Sequence, residues 1–241
     1  MIGGGSGVFD MNWIMIFVVS IALGGLTQWY IKRTFSRFSQ VRTSSGLTGA
    51  QTAERLLQAN GIAASPGAPT NRDSVGIIPT KGSLSDHYDP RKGIVALSET
   101  VYGQDSVSAA AVAAHEVGHA LQTHKRYVFG EIRTAIVPVV NLSSSAAPFL
   151  IMMGLFTQLT GLFWLGVVFY AGAVLFQLVT LPVELNASSR ALTQLRDNGI
   201  LSAGELPGAR KVLTAAALTY LAAALISVMY LLFYIGMGNR R

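Results

Sequence analysis

Residues 115–119 read His-Glu-Val-Gly-His, an H-E-x-x-H pattern whose spacing suits metal chemistry on a helix. Successive helical residues advance about 100°, so two histidines four apart lie within about 40° on one face. His115 and His119 can therefore grip one ion. Glu116, beside that face, can take a proton from a metal-activated water without ligating the metal. Chance alone would produce the pattern in only about 0.2% of chains of this length and composition. Val112, Ala113, Ala114, Val117, Gly118, Ala120 and Leu121 around it are all uncharged, as suits a helix buried about its own reactive centre. The competing reading is two core histidines with a solvated glutamate.

Catalytic zinc takes three protein ligands and leaves one position open. The chain has no cysteine, which excludes thiolate ligands and disulfides and leaves His, Asp and Glu. His124 lies about 140° round the helix from His119 and reads as an exposed residue near the helix end. Gln122 stands where the glycine of an extended H-E-x-x-H-x-x-G-x-x-H motif would be, so that motif is absent. Glu131 reads as an ion-pair partner of Arg133, and Asp105 as a charge matched to a helix dipole. Glu184 is the better third ligand. It stands in Leu181-Pro182-Val183-Glu184-Leu185-Asn186-Ala187-Ser188-Ser189-Arg190, where Pro182 suits the start of a new helix with Glu184 in its first turn. The alternative is a charge that merely stabilises that helix N-terminus.

These residues sit in a chain of 241 with 51% hydrophobic and 12% charged residues and a mean hydropathy of +0.44. A soluble domain carries about twice that charge. Met11–Ile31 contains no charged residue, Thr134–Val183 is an uncharged run of 50, and Val212–Asn239 is a third uncharged stretch. A span takes about 20 residues, so four membrane helices are expected, two of them joined by a turn at 158–161. The first has a long apolar core and no preceding basic residue, unlike a cleavable signal peptide. The second holds Pro138, Asn141, Ser143, Ser144, Ser145 and Pro148, so a kinked span packed on protein or a re-entrant helix is expected. Two spans separate Glu184 from His119, which returns both to one side.

Net charge is +6, yet the basic residues flank the apolar stretches. That placement fits the cytoplasmic ends of membrane helices better than nucleic-acid binding. Lys32, Arg33, Arg37 and Arg42 follow the first span, Lys125, Arg126 and Arg133 precede the second, and Arg190, Arg196, Arg210 and Lys211 lie between the third and fourth. Both long polar segments are therefore expected in the cytoplasm, with Arg240 and Arg241 left outside against the rule.

Within the first polar segment, Thr48 and Gln51 form a capping box before a helix over 49–60 that Gly61 ends. A loop rich in Pro, Gly, Ser and Asn follows, then strand candidates at 75–79 and 94–98 with a turn at 89–93. Ser106 can cap the helix that carries the motif to about Thr123. The only low-complexity tract is the start, Gly3-Gly4-Gly5-Ser6-Gly7.

Three segments, Leu84-Ser85-Asp86-His87-Tyr88-Asp89-Pro90-Arg91, Ala113–Gln122 and Leu181–Arg190, closely resemble the YugP-like membrane zinc metallopeptidases of bacteria, over about residues 43–236. A more distant likeness is to the HtpX and CAAX-prenyl-protease group. The resemblance implies a mainly α-helical membrane protein with a small α+β zincin-like catalytic domain. It divides the chain into an N-terminal segment and first membrane helix (1–31), a cytoplasmic catalytic portion with the H-E-x-x-H helix (43–132), and a transmembrane hairpin (133–181). A segment carrying the third ligand (182–211) and a last membrane helix (212–238) complete it. One zinc ion per chain is implied, on His115, His119 and Glu184 with Glu116 as base (the gluzincin arrangement). The group's histidine-orienting Asp falls on Ser188, a weaker acceptor, so Asn186 or a carboxylate from elsewhere is expected to complete that shell. A peptide-binding edge strand is also implied, with 94–98 the candidate. Asp86 and His87 either stabilise the turn leading to Pro90 or, in the case of His87, orient the tetrahedral intermediate; Tyr88 and Tyr102 are open to the latter role.

The reading is thus an endopeptidase of the bacterial cytoplasmic membrane that cleaves membrane or misfolded proteins on the cytoplasmic side. Its partners are the lipid bilayer and a protein or peptide substrate, not nucleic acid. No oligomeric state follows. A catalytically silent adaptor with a structural zinc site would have no need of Glu116. A transporter would need charged residues inside its spans, and there are none. Reporter fusions at residues 60 and 200 are expected on one side and a fusion at 159 on the other; opposite sides for 60 and 200 would exclude Glu184 from the histidine site.

Overall fold

The structure is a computed structural model that describes residues 11–71 and 74–240. The Gly-rich tract at 3–7 lies outside the described residues. The chain divides into two compact units. One holds residues up to Gln28, Ile132–Leu181 and those from Thr219 on; the other holds Trp29–Glu131 and Pro182–Leu218.

Among the described residues, four helices are long and apolar enough to cross a membrane: α1 (Met11–Ser39), α5 (Val128–Phe156), α6 (Thr160–Asp197) and α7 (Leu206–Gly238). Each contributes residues to both units. The other elements, all in the second unit, are α2 (Gly49–Ala59), β1 (Ala63–Pro66), β2 (Ser74–Thr80), β3 (His87–Asp89), β4 (Ile94–Ser98), α3 (Glu99–Gly103) and α4 (Val107–His124). The protein is a helical membrane protein with a small α+β domain.

In the apolar unit, glycine lets helices meet closely. A Cβ on Gly166 would lie 2.7 Å from the Ile151 backbone, and one on Gly238 would lie 2.6 Å from the Trp164 ring. Small residues at such crossings replace the hydrophobic drive that lipid does not supply. Pro138 and Pro148 sit inside α5, which remains one continuous helix.

The α+β unit follows its local signals. Thr48 accepts from Gln51 N at 3.2 Å while the Gln51 side chain accepts from Thr48 N at 2.9 Å, closing the capping box before α2. Ser106 caps α4 by accepting from Ala109 N. The sheet has the order β1-β2-β4-β3, parallel except for antiparallel β3. Its Val75, Ile77, Val95 and Leu97 form one core with Leu56 and Leu57 of α2, the alanines of α4, and Ala191 and Leu195 of α6.

Three expectations change. Ile94–Ser98 is not an edge strand: it pairs with β2 on one side and β3 on the other, so the edges are β1 and β3. Neither was expected as a strand, because strands of four and three residues leave too short a pattern to see. Pro182 does not start a helix. It lies inside α6, so Glu184 is a mid-helix residue, and the reading of it as an N-terminal charge falls.

What places that mid-helix residue is the close approach of α4 and α6. On α4, His115, Gly118, His119 and Gln122 recur at i, i+3, i+4 and i+7, which is one helical face. An added Cβ on Gly118 would lie 2.7 Å from the Ala187 carbonyl oxygen. Gly118→Ala is expected to force the two helices apart at a cost of about 1–3 kcal/mol. Thermal unfolding of the metal-free protein checks this, and an unchanged midpoint would contradict the contact.

Candidate metal centre

Three donor atoms converge across the α4–α6 contact. His115 Nε2 lies 3.2 Å from Glu184 Oε2, His119 Nε2 lies 3.4 Å from the same oxygen, and the two Nε2 atoms are 3.2 Å apart. Ligands at 2.0–2.1 Å around a tetrahedral zinc are separated by about 3.3 Å, so the triangle has the size that ion demands. Its chemistry agrees. A carboxylate and two imidazoles turned toward one point crowd lone pairs that only a proton or a cation can bridge. These three residues can hold a metal ion.

The ring nitrogens that face away from the triangle are also bonded. Ser188 Oγ lies 3.2 Å from His115 Nδ1, and Gln122 Oε1 lies 3.0 Å from His119 Nδ1. The position expected to hold an orienting Asp thus holds a serine that still reaches its histidine. Asn186 touches neither imidazole; its Oδ1 accepts from Gln122 Nε2 at 3.0 Å and from Arg190 Nε at 2.7 Å. Gln122 was the residue sequence reasoning missed, having served only to exclude a longer motif. Its place one turn beyond His119 on the same face was the available signal.

Glu116 is buried at 6% exposure, and Glu184 at 2%. Burial pushes the Glu116 carboxyl up from its ordinary range; His115 and His119 offset part of that, while Glu184 and Asp86 add to it. For His119, burial acts to lower the pKa, but the Glu184 hydrogen bond and the charges of Glu116 and Glu184 outweigh it, so the net direction is up.

The remaining candidates do not join the triangle. His87 is exposed at the start of β3, with Nδ1 2.9 Å from the Ser85 carbonyl. The turn to Pro90 is held not by Asp86 or His87 but by Asp89, which accepts from Arg91 N and Lys92 N. Asp86 instead reaches β4, accepting from Ser98 N at 2.7 Å and Ser98 Oγ at 3.0 Å. The Tyr88 hydroxyl bonds Thr123, and burial raises its pKa. Tyr102 packs on the core. His124 is exposed at the last position of α4, Glu131 is exposed in the first turn of α5, and Asp105 pairs with Arg42 at 3.7 Å.

A partly buried two-histidine, one-carboxylate cluster on a helical membrane protein defines a class, and the sequence comparisons agree with it. Residues 13–239 match the family described as "Putative neutral zinc metallopeptidase", and the chain belongs to that family. It is 44% identical over 225 residues, 93% of this chain and 96% of the relative, to the protein of Bacillus subtilis (strain 168) called "Putative membrane protease YugP". No solved structure matches it. The family is one of zinc peptidases, and the four apolar helices with this relative make the chain a membrane protein.

The charge state of His119 sets a pH dependence. Because its folded pKa stands above the ordinary 6.5, the stability gained from pairing with Glu184 is fully present below pH 6.5 and is lost as pH rises through the raised value. In zinc-stripped protein, the thermal midpoint of wild type relative to His119→Gln is expected to fall as pH rises above 6.5. The same proton must leave before a metal binds, so zinc uptake should weaken on acidification. A pH-independent difference between the two proteins would contradict the pairing.

Proposed function

We propose that this protein is a membrane-embedded zinc endopeptidase in which His115, His119 and Glu184 hold the ion and Glu116 is the general base. The convergence of two imidazole nitrogens and one carboxylate oxygen at 3.2–3.4 Å carries the reading. Zinc in such a site supplies a Lewis acid that polarises the scissile carbonyl and makes water more acidic. Glu116 follows His115 on α4, so its carboxylate is held beside the ligand pair without belonging to it. There it takes the proton of the attacking water and delivers it to the leaving nitrogen. Burial, by raising its proton affinity, suits both halves of that transfer. A purely structural zinc site gives no reason for burying a fourth ionisable group against the ligands.

The substrate strand is better sought at β3 than at Ile94–Ser98. Antiparallel β3 is a sheet edge, and an extended peptide can add to such an edge through backbone hydrogen bonds with little demand on its side chains. Membrane or misfolded proteins, which present unfolded segments, fit that mode. The flanking basic residues support a multi-pass protein of the bacterial cytoplasmic membrane with its active site on the cytoplasmic side.

Glu116→Gln is expected to retain zinc and lose at least ~10²-fold in cleavage of an unstructured protein such as casein. Glu184→Ala is expected to purify with little zinc and no activity, because losing a ligand weakens binding by several kcal/mol, on the order of the share one donor contributes. Glu131→Ala should keep both. Normal cleavage by Glu116→Gln would remove the proposed base, and full zinc content in Glu184→Ala would remove the third ligand.

A further inference from the structure

We propose that Gln122 is a positioning residue that fixes the tautomer of His119, holding Nδ1 protonated and leaving Nε2 bare toward the metal. The inference rests on the zinc reading above but uses a different set of contacts. Gln122 is buried at 4% exposure. Its side-chain nitrogen, Nε2, lies 2.8 Å from the Val183 carbonyl oxygen and 3.0 Å from Asn186 Oδ1, and its Oε1 lies 3.0 Å from His119 Nδ1.

An amide's two ends are distinguished only by their partners, and here the partners decide. The Val183 backbone carbonyl can only accept, so the Gln122 atom facing it must be the NH2 group. Asn186 makes the same demand, because its oxygen is identified by donation from Arg190 Nε at 2.7 Å, and a guanidinium has no acceptor. The Arg190 guanidinium also lies over the Tyr127 ring, 6.0 Å from its centroid, a cation–π contact that helps hold it in place. Flipping Gln122 would set its oxygen against two acceptors at once, one of them the buried Val183 carbonyl. Oε1 therefore faces His119 and can only accept, so His119 Nδ1 donates. In neutral imidazole the proton on one nitrogen leaves the other bare. Nε2, the atom in the triangle with Glu184 and His115, is thus the ligating nitrogen.

The other histidine is held differently. Ser188 Oγ, 3.2 Å from His115 Nδ1, can donate or accept by rotating its hydroxyl, so it orients the ring without choosing the tautomer. The ligand pair is therefore asymmetric: Gln122 decides which nitrogen of neutral His119 is bare, whereas His115 would be set by the metal itself. Both outer partners are neutral, so the ion keeps more of its charge than it would beside an outer carboxylate.

The test uses full-length protein in detergent and Gln122→Met, which keeps chain length and removes both polar ends. Val183 keeps its helical hydrogen bond and Asn186 keeps Arg190, so the metal-free variant is expected to melt close to wild type. Its zinc dissociation constant, measured by chelator competition, is expected to rise about 10- to 100-fold, as for loss of an outer partner of a ligand histidine. Nitrogen-15 histidine spectra of zinc-loaded wild type should show a His119 Nδ1–H that exchanges slowly with water, and the variant should lose that protection. Asn186→Leu, which removes one of the two acceptors but leaves Gln122, should fall between the two in zinc affinity. Wild-type zinc affinity and a protected Nδ1–H in Gln122→Met would overturn the proposal. So would an affinity loss matched by an equal drop in metal-free stability, which would make Gln122 a packing residue. A wild type that binds no zinc would sink the metal reading itself, a result distinct from either.

Discussion

The contact of Gly118 with Ala187 is the constraint from which the centre follows. Helices normally pack about 8–10 Å apart, at a distance set by the side chains between them. Here the α4 side chain at the crossing is a hydrogen atom, and the backbone of α6 comes within reach of where a Cβ would be. Only at that separation does a glutamate on one helix meet two histidines on the other at hydrogen-bond range. The alanines that bury α4 on its remaining faces serve the same end, because small residues let α2, α3 and the sheet close around it without pushing it away from α6. Alanine is also the strongest helix former, so the helix loses nothing in intrinsic stability by being built this way.

That geometry places two buried carboxylates, Glu116 and Glu184, beside two imidazoles in a small volume. Buried charge is costly unless compensated. The two carboxylates raise the proton affinity of His119 in compensation, and a divalent cation would compensate them more fully. On the proposed reading, metal affinity and domain stability are linked, since an ion held there would also offset the buried charge of the site.

The outer contacts of the two histidines show how position and chemistry can separate. In sequence, Ser188 looks like a loss, a hydroxyl where a carboxylate is expected. In the structure it still reaches His115. The other imidazole draws its partner from α4 itself, through a glutamine whose orientation α6 dictates. Each helix thus helps to align the donors of the other, and Asn186 and Arg190 extend the arrangement along α6.

What rests on local periodicity and composition could be read from the residues alone. The H-E-x-x-H spacing placed two histidines on one face, uncharged runs marked four membrane helices, and Thr48 and Ser106 announced the starts of α2 and α4, because caps and helical repeats are short-range effects. Glu184 was legible as a candidate partner of the histidines from its place in the Leu181–Arg190 segment, and the structure brings it to them. The tertiary structure alone decided the rest. Strands as short as β1 and β3 carry no period of their own and exist because neighbours complete their hydrogen bonds, so which strand is an edge could not be read. The continuity of α6 through Pro182 is likewise a packing result that overrides a local breaker. Gln122 acquired its part only when α6 supplied two acceptors for its nitrogen. A side chain whose two ends differ only in what they face has no definite orientation until the fold provides the partners.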